Sequence, residues 1–259
     1  MSDAVEAAWS ALEDGLPEEA LELLRGATDS GARWACAALC HLDLGAFAEA
    51  DRALARAEAA DAEDADVLFA AGEVHLAAWR IERARTAFEE LAQSAPSREV
   101  FERLALCLDL LGEEEAADRA LDAAAAVDPE RGPRAPHLAP EAFEAVVMQA
   151  VDDLPPEFQA ALQRVAIVID PVPGMGAVVG DGRETPPDLL GLFVGTALVD
   201  ESAEASLQLP PTVYLFQRNL ERGVADEEEL AREIRVTLYH ELGHALGFDE
   251  EGVEEMGLG

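Results

Sequence analysis

Two histidines and one glutamate near the end of the chain have the spacing of a metal site. His240 and His244 are four residues apart, and Glu241 follows the first histidine directly. On a helix, residues at this spacing project to the same side one turn apart, so both imidazoles can bind one ion. From its position, Glu241 can accept a proton from a metal-activated water. The pattern predicts a zinc site with His240 and His244 as ligands and Glu241 as general base.

A carboxylate is the expected third ligand. No cysteine follows Cys107, and the only other histidine in the second half of the chain is His137. Glu250 stands ten residues after the first histidine, where the long form of this motif places its third ligand. Asp249, one residue earlier, is the alternative, and Gly247 lets the backbone turn back towards the metal. Three protein ligands leave a fourth position for water, as in catalytic zinc sites.

These side chains need a rigid helix, and the sequence predicts one over residues 226–247. Large aliphatic residues recur every four positions and form one stripe for burial. Asp226 and Glu229 have the spacing of a capping box at the start. Gly247 is placed to end the helix. The stripe consists of Leu230, Ile234, Leu238, Leu242 and Leu246.

The segment before this helix has the pattern of a small α/β domain. Helical spacing predicts helices over 141–152 and 155–163, and apolar, β-branched runs predict strands at 165–169, 189–194 and 212–217. The last strand is a candidate for pairing with substrate backbone. Tyr214 and Tyr239 are candidates either for stabilising an oxyanion or for packing in the core.

Residues 140–259 resemble the minimal zincin-like metallopeptidase domains of bacteria. The resemblance implies a small mixed α/β fold, with zinc held by His240, His244 and Glu250 and with Glu241 as base. That family more often has aspartate where this chain has Glu250. The segments that carry the likeness are residues 240–250, the Leu-Leu-Gly-Leu-Phe run at 189–193, the Pro-containing strand entry at 209–216 and the strand at 165–169.

The first half of the chain has an internal repeat. Alanines recur at intervals of 30, 34 and 33 residues, each followed four positions later by a larger apolar residue. Five positions before the alanine stands a glycine, or Trp79 in the third unit, where a left-handed turn would end a first helix. The small residue then allows close approach of a second helix. The alanines are Ala20, Ala50, Ala84 and Ala117, the larger residues are Leu24, Leu54, Phe88 and Leu121, and the glycines are Gly15, Gly45 and Gly112.

This pattern resembles the tetratricopeptide repeat (TPR) over residues 1–130, in four units. The resemblance implies a superhelix whose concave face binds a protein or peptide partner. The alternative is a generic array of helical hairpins. Residues 131–139 are rich in proline and predict a stiff linker. The predicted fold class is thus α+β overall, with an all-α helical-repeat solenoid at 1–130 and a small α/β zincin-like domain at 140–259.

Composition limits the partners. The formal charge of −36 would repel nucleic acid and anionic membranes, so we expect neither as a partner. The three cysteines lie in apolar helical stretches, which suits buried residues in a reducing compartment. The first residues are acidic and contain no basic stretch before an apolar run, so we expect a cytoplasmic protein.

The predicted function is that of a zinc-dependent metallopeptidase. Zinc-activated water would hydrolyse the peptide bonds of a peptide or protein substrate, and the TPR-like domain would recruit it. An alternative is a catalytically inactive, zinc-binding TPR adaptor protein. A third is a scaffold without metal.

Overall fold

The chain forms two compact units. The first comprises Met1–Arg131 with Ala177–Pro187, and the second comprises Gly132–Gly176 with Asp188–Gly259. The computed structural model describes residues 3–132, 134, 136–174, 185–195 and 210–249. None of the helices among these residues combines the length and apolar character needed to cross a bilayer.

The first unit is a row of helical hairpins. Each odd-numbered helix packs against the even-numbered helix that follows it, and each hairpin packs against the next. The described helices are α1 (Asp3–Glu13), α2 (Pro17–Leu24), α3 (Gly31–Asp43), α4 (Phe47–Asp61), α5 (Ala65–Ala77), α6 (Ile81–Ser94), α7 (Arg98–Leu110) and α8 (Glu114–Val127). The predicted helical repeat is confirmed.

The turns within the four hairpins share one backbone conformation. Gly15, Gly45 and Gly112 have φ of 73°, 67° and 76°, and Trp79 at the equivalent position has φ of 55°. A residue with a Cβ pays about 1–2 kcal/mol in this left-handed region. The indole of Trp79 donates a hydrogen bond of 2.8 Å to the carbonyl of Thr185, which belongs to the same unit. The repeat therefore imposes its turn geometry even where glycine is absent.

Small residues allow the paired helices to approach closely. The four repeat alanines are fully buried. Gly72 on α5 faces Phe88 on α6, where an added Cβ would lie 2.3 Å from Cζ of the ring. The three cysteines are buried, as predicted, and the hydrogen bond with Cys40 together with burial raises the pKa of the Cys36 thiol.

The helices α3, α5 and α7, which begin the last three hairpins, carry side-chain caps. Ser30 accepts a hydrogen bond from the backbone N–H of Arg33, and Ser97 accepts one from Val100. Each cap satisfies a backbone donor that has no partner within the helix.

The second unit is a small α/β fold. Its sheet has three strands in the described residues, in the order β1-β3-β2, with β1 parallel and β2 antiparallel to the central β3. The elements are α9 (Pro140–Asp152), α10 (Pro156–Ala161), β1 (Ala166–Asp170), β2 (Gly191–Val194), β3 (Thr212–Phe216), α11 (Gln217–Arg222) and α12 (Glu227–Ala245). The predicted fold class is confirmed.

The core of this unit lies between the sheet and the helices. Phe143 of α9, Val213 and Leu215 of β3 and Leu220 of α11 are fully buried together. The aliphatic stripe of α12 joins them, with Leu230, Ile234, Leu238 and Leu242 fully buried and Leu246 partly buried. Burial of this stripe fixes the rotation of α12, which decides where its remaining side chains point.

Candidate metal centre

The helix α12 carries the two histidines, and its start is fixed by local hydrogen bonds. The Asp226 carboxylate accepts a hydrogen bond of 2.9 Å from the backbone N–H of Glu229. The Glu229 carboxylate in turn accepts one of 2.7 Å from Ala225 N–H. This is the predicted capping box, with the return bond shifted by one residue. Three glutamates in the first turn also interact favourably with the positive end of the helix dipole.

His240 and His244 converge at the other end of α12. Their Nε2 atoms lie 3.1 Å apart, and their rings are nearly perpendicular, with centroids 4.8 Å apart. Zinc–nitrogen bonds of about 2.0–2.1 Å at a tetrahedral angle separate two ligand nitrogens by about 3.3 Å. The two imidazoles therefore fit a single zinc ion.

The end of α12 orients His244. Gly247 has φ of 93°, and the turn closes with hydrogen bonds from Gly247 N–H to the His244 carbonyl and from Phe248 N–H to the Gly243 carbonyl. This double pattern is a Schellman motif. It brings the Phe248 carbonyl 3.0 Å from Nδ1 of His244. Because a carbonyl only accepts, Nδ1 carries the proton in the neutral ring and Nε2 keeps its lone pair for a metal.

Glu241 is held by the strand β2. Its side chain is buried, and its Oε2 accepts a hydrogen bond of 2.6 Å from the backbone N–H of Phe193. The approach of β2 to α12 requires glycine at position 191. A Cβ there would lie 2.6 Å from Cγ2 of Thr237 and 3.0 Å from Cγ of Glu241. The glycine in the Leu-Leu-Gly-Leu-Phe run thus allows the strand to reach the carboxylate.

The third ligand stays a prediction. Glu250 lies outside the described residues. Asp249 is described and exposed, just beyond the end of α12. Within the described part of the chain, no third His, Cys, Asp or Glu joins the histidine pair to form a metal-binding group. The pair supplies two nitrogen ligands, and a carboxylate would complete a set typical of catalytic zinc.

A comparison with known families gives a match within the second half of the chain. Residues 162–259 match the zincin-like metallopeptidase family. This zincin-like segment contains the three described strands, α11, α12 and both histidines, and it confirms the resemblance predicted from the sequence. No curated protein matches the chain. Among solved structures, the crystal structure of MamA is similar, with 20% sequence identity, coverage of 49% of this chain and 78% of that chain, and a TM-score of 0.42.

The strand order corrects one expectation for the zincin-like segment. The strand predicted at 212–217 was a candidate for pairing with substrate, but β3 is the central strand and pairs with β1 on one side and β2 on the other. Its backbone has no open edge for a peptide within the described sheet. Tyr239 packs edge-to-face on Phe158, at 5.1 Å between ring centroids, which is a core contact. Tyr214 stacks on Phe216.

The helix α11 supports the site and was missed by sequence reasoning. Four of its polar or charged residues are buried: Gln217, Arg218, Asn219 and Glu221. Asn219 donates a hydrogen bond of 2.8 Å to the carbonyl of Leu189, just before β2 begins. A polar run normally indicates an exposed segment, so the sequence contains no signal for this role. The contact anchors the entry to the strand that holds Glu241.

Glu221 fixes the chain that enters the second unit. Its Oε1 accepts hydrogen bonds from the Leu138 backbone N–H at 2.9 Å and from the Gln217 amide at 2.8 Å. Its Oε2 lies 2.7 Å from Nδ1 of His137. Gln217 also donates to the Leu138 carbonyl. The Nδ1 atom of His137 is therefore engaged by α11.

Proposed function

We propose that the second unit is a zinc-dependent peptidase and that the first unit recruits its protein or peptide substrate. His240, His244 and Glu250 would bind zinc, with Glu241 as general base. One observation carries the proposal: both histidine Nε2 atoms lie 3.1 Å apart, and Glu241, next in sequence to His240, has its carboxylate oriented by the backbone N–H of Phe193. The zincin-like match over residues 162–259 supports the same class of reaction.

The chemistry requires a base that is oriented before the substrate arrives. Zinc, when bound, polarises a carbonyl and makes water more acidic. The hydrogen bond from Phe193 occupies Oε2 of Glu241, and Oε1 is the oxygen proposed to accept the proton of the attacking water. As the new carbon–oxygen bond forms and the peptide carbon–nitrogen bond breaks, Glu241 would pass that proton to the leaving amine.

The substrate backbone is proposed to run along β2. This strand lies at an edge of the described sheet, and it is the strand in contact with Glu241. An extended peptide that adds to an edge strand gains main-chain hydrogen bonds in a fixed register. A peptide bound along β2 would lie beside the Glu241 carboxylate, because β2 is the strand that contacts it.

The decisive experiment compares Glu241→Gln with His240→Ala. Glutamine keeps the shape of the side chain but accepts protons poorly, so zinc content should stay near one equivalent while hydrolysis falls about a thousandfold. His240→Ala should lose both zinc and hydrolysis. Zinc is measured by elemental analysis of purified protein, and hydrolysis by mass spectrometry of a peptide-library digest.

Glu233→Gln is the matched control, since it makes the same replacement on α12 about two turns before His240. It should leave zinc content and cleavage unchanged. Full zinc occupancy without any cleavage by the wild type would instead identify an inactive adaptor. Absence of zinc from the wild type would identify a metal-free scaffold and end the peptidase proposal.

The third ligand is tested by Glu250→Ala and Asp249→Ala. The proposal expects zinc affinity to fall at least tenfold in the first variant and less than twofold in the second. The reverse result would assign the third ligand to Asp249. Competition with a chromogenic chelator measures both affinities without reference to activity.

A further inference from the structure

A groove lies on the face formed by the first helices of the hairpins. It has a volume of about 670 Å³, and all thirteen described lining residues come from α1, α3, α5 and α7. Every hairpin therefore contributes one helix to the same concave surface. The groove is a property of the stacked array and of no single repeat.

The lining of this groove is strongly acidic. It contains six carboxylates and one arginine. That arginine, Arg103, is already paired, because its Nε lies 3.0 Å from Oε1 of Glu73, which is also in the lining. Five further carboxylates remain, so the groove presents a negative potential to any approaching segment.

Two of these carboxylates lack compensation in the free protein. Among the described residues, no hydrogen-bond donor or cation contacts the side-chain oxygens of Asp43 or Asp66. Burial raises the pKa of Asp43, and burial followed by the charge of Asp64 raises the pKa of Asp66. A carboxylate that has lost part of its hydration without gaining a partner is stabilised by an incoming cation.

The same groove offers aromatic surface. Trp9 of α1 and Phe69 of α5 are both in its lining. Their rings give the groove apolar surface beside the carboxylates. Carboxylates interleaved with aromatic rings suit a ligand that has both positive and apolar side chains.

We propose that this groove binds a basic, extended peptide segment. Its lysine or arginine side chains would pair with Asp43 and Asp66, and its apolar side chains would pack on Trp9 and Phe69. The inference rests on the recruiting role proposed for the first unit and names the class of segment recruited. It requires neither zinc nor hydrolysis, so its failure is distinguishable from failure of the peptidase proposal.

The test titrates a short synthetic peptide that alternates leucine with lysine into the full chain. The chain carries Glu241→Gln so that the peptide stays intact, and calorimetry measures Kd. The proposal expects the lysine peptide to bind at least tenfold more tightly than analogues with glutamine or glutamate in place of lysine. The double variant Asp43→Asn/Asp66→Asn should weaken binding about tenfold.

Glu114→Gln/Glu115→Gln is the control for overall charge. It also removes two carboxylates, from exposed positions on α8 outside the groove, and should change Kd less than twofold. An equal loss in both double variants would overturn the proposal, because binding would then reflect only the general acidity of the chain. Failure of the lysine peptide to bind would also overturn it.

Carbodiimide crosslinking gives a second measurement that needs no folding-sensitive variant. The chain has no lysine, so no side-chain amine of its own competes with the peptide amines for its activated carboxylates. We expect crosslinks at Asp43 and Asp66, and crosslinks confined to the second helices would contradict the assignment. If ultracentrifugation shows a dimer that the peptide disrupts, the occupant is a second copy of the chain and the proposal is wrong.

Discussion

The two units differ in the number of polar side chains that they bury. Among the described residues, the buried polar or charged side chains of the first unit are Asp109 and Thr185, whereas the second unit buries seven. Those seven are Thr212, Gln217, Arg218, Asn219, Glu221, Thr237 and Glu241. Apolar contacts are non-directional, but a buried polar group must be hydrogen-bonded and so has a defined orientation. Packing therefore defines the first unit, and hydrogen bonds position the groups of the second.

This difference matches what each unit is proposed to do. A surface that recruits extended segments needs a stable array, which alanine and leucine contacts provide. A general base must be held in a fixed place, because small displacements from the reacting atoms lower the rate steeply. The backbone N–H of Phe193 in β2 holds the Glu241 carboxylate. Asn219 in turn anchors Leu189, just before β2 begins.

The largest effect is expected when the polar network of the second unit loses its acceptor. Glu221→Ala leaves the partly buried Leu138 N–H and the buried Gln217 amide without the carboxylate that accepts their hydrogen bonds. The free energy of unfolding of the second unit should fall by about 3 kcal/mol. Urea unfolding followed by far-ultraviolet circular dichroism measures it. A loss below about 1 kcal/mol would show that packing holds this unit too.

Glu221→Gln is the matched control because it keeps an amide oxygen as acceptor, and it should lose less than Glu221→Ala. The three tryptophans all lie in the first unit, at positions 9, 34 and 79. Tryptophan fluorescence consequently follows the first unit by itself, and its unfolding transition should be little changed in both variants.

A smaller effect is expected when the packing of the first unit is overfilled. Gly72→Ala would place a Cβ against the Phe88 ring and should lower the free energy of unfolding by about 2 kcal/mol. Gly26→Ala meets no atom within 4 Å and should be neutral or slightly stabilising. Tryptophan fluorescence in urea compares the two. Equal behaviour would mean that the helix pair relaxes without cost.

Loss of a helix cap should lower the free energy of unfolding equally in both units, because the hydrogen bonds of a cap are local. Ser97→Ala on α7 and Asp226→Ala on α12 each remove one side-chain acceptor and should each cost about 1 kcal/mol. The first is measured by tryptophan fluorescence and the second by circular dichroism. A difference above about 1 kcal/mol between them would show that a cap also takes part in the tertiary network of its unit.

The smallest effect near neutral pH is expected at His75 in the first unit. Its Nδ1 accepts a hydrogen bond of 2.9 Å from Nε of Arg80, which also binds Asp51. Burial, with the charges of Arg80 and Arg83, lowers the pKa of His75 from 6.5 to about 4. The unfolded chain therefore binds this proton more readily than the native chain.

The contribution of His75 to the free energy of unfolding is fully present above pH 6.5 and is lost as pH falls through about 4. His75→Gln should flatten that part of the stability profile relative to wild type. Thermal unfolding followed by tryptophan fluorescence between pH 6.5 and 4 measures the slope. Parallel profiles would exclude His75 as the source.

Local patterns predicted most of the fold. The helix predicted at 226–247 is observed as Glu227–Ala245, and the strands predicted at 165–169 and 189–194 are observed as Ala166–Asp170 and Gly191–Val194. Even Trp79 was placed in its turn, because the repeat interval marks the position whatever residue occupies it. These signals depend on neighbours within a few residues, which the sequence shows directly.

Long-range contacts were not predictable in the same way. The position of β3 at the centre of the sheet depends on pairing with strands far away in the chain. The bond between Glu241 and Phe193 joins residues 48 positions apart. Burial of α11 reverses the usual exposure of polar residues. The metal-ligand set remains predicted from spacing, since Glu250 lies outside the described residues.

The turn after α12 has a consequence for mutational scanning. The group that orients His244 is the carbonyl of Phe248, and every amino acid supplies a carbonyl. The Phe248 ring is exposed, so replacing it with alanine leaves that oxygen in place. A scan of side chains would report position 248 as silent, and only an amide-to-ester replacement following residue 248, or a change at Gly247, would reveal the dependence.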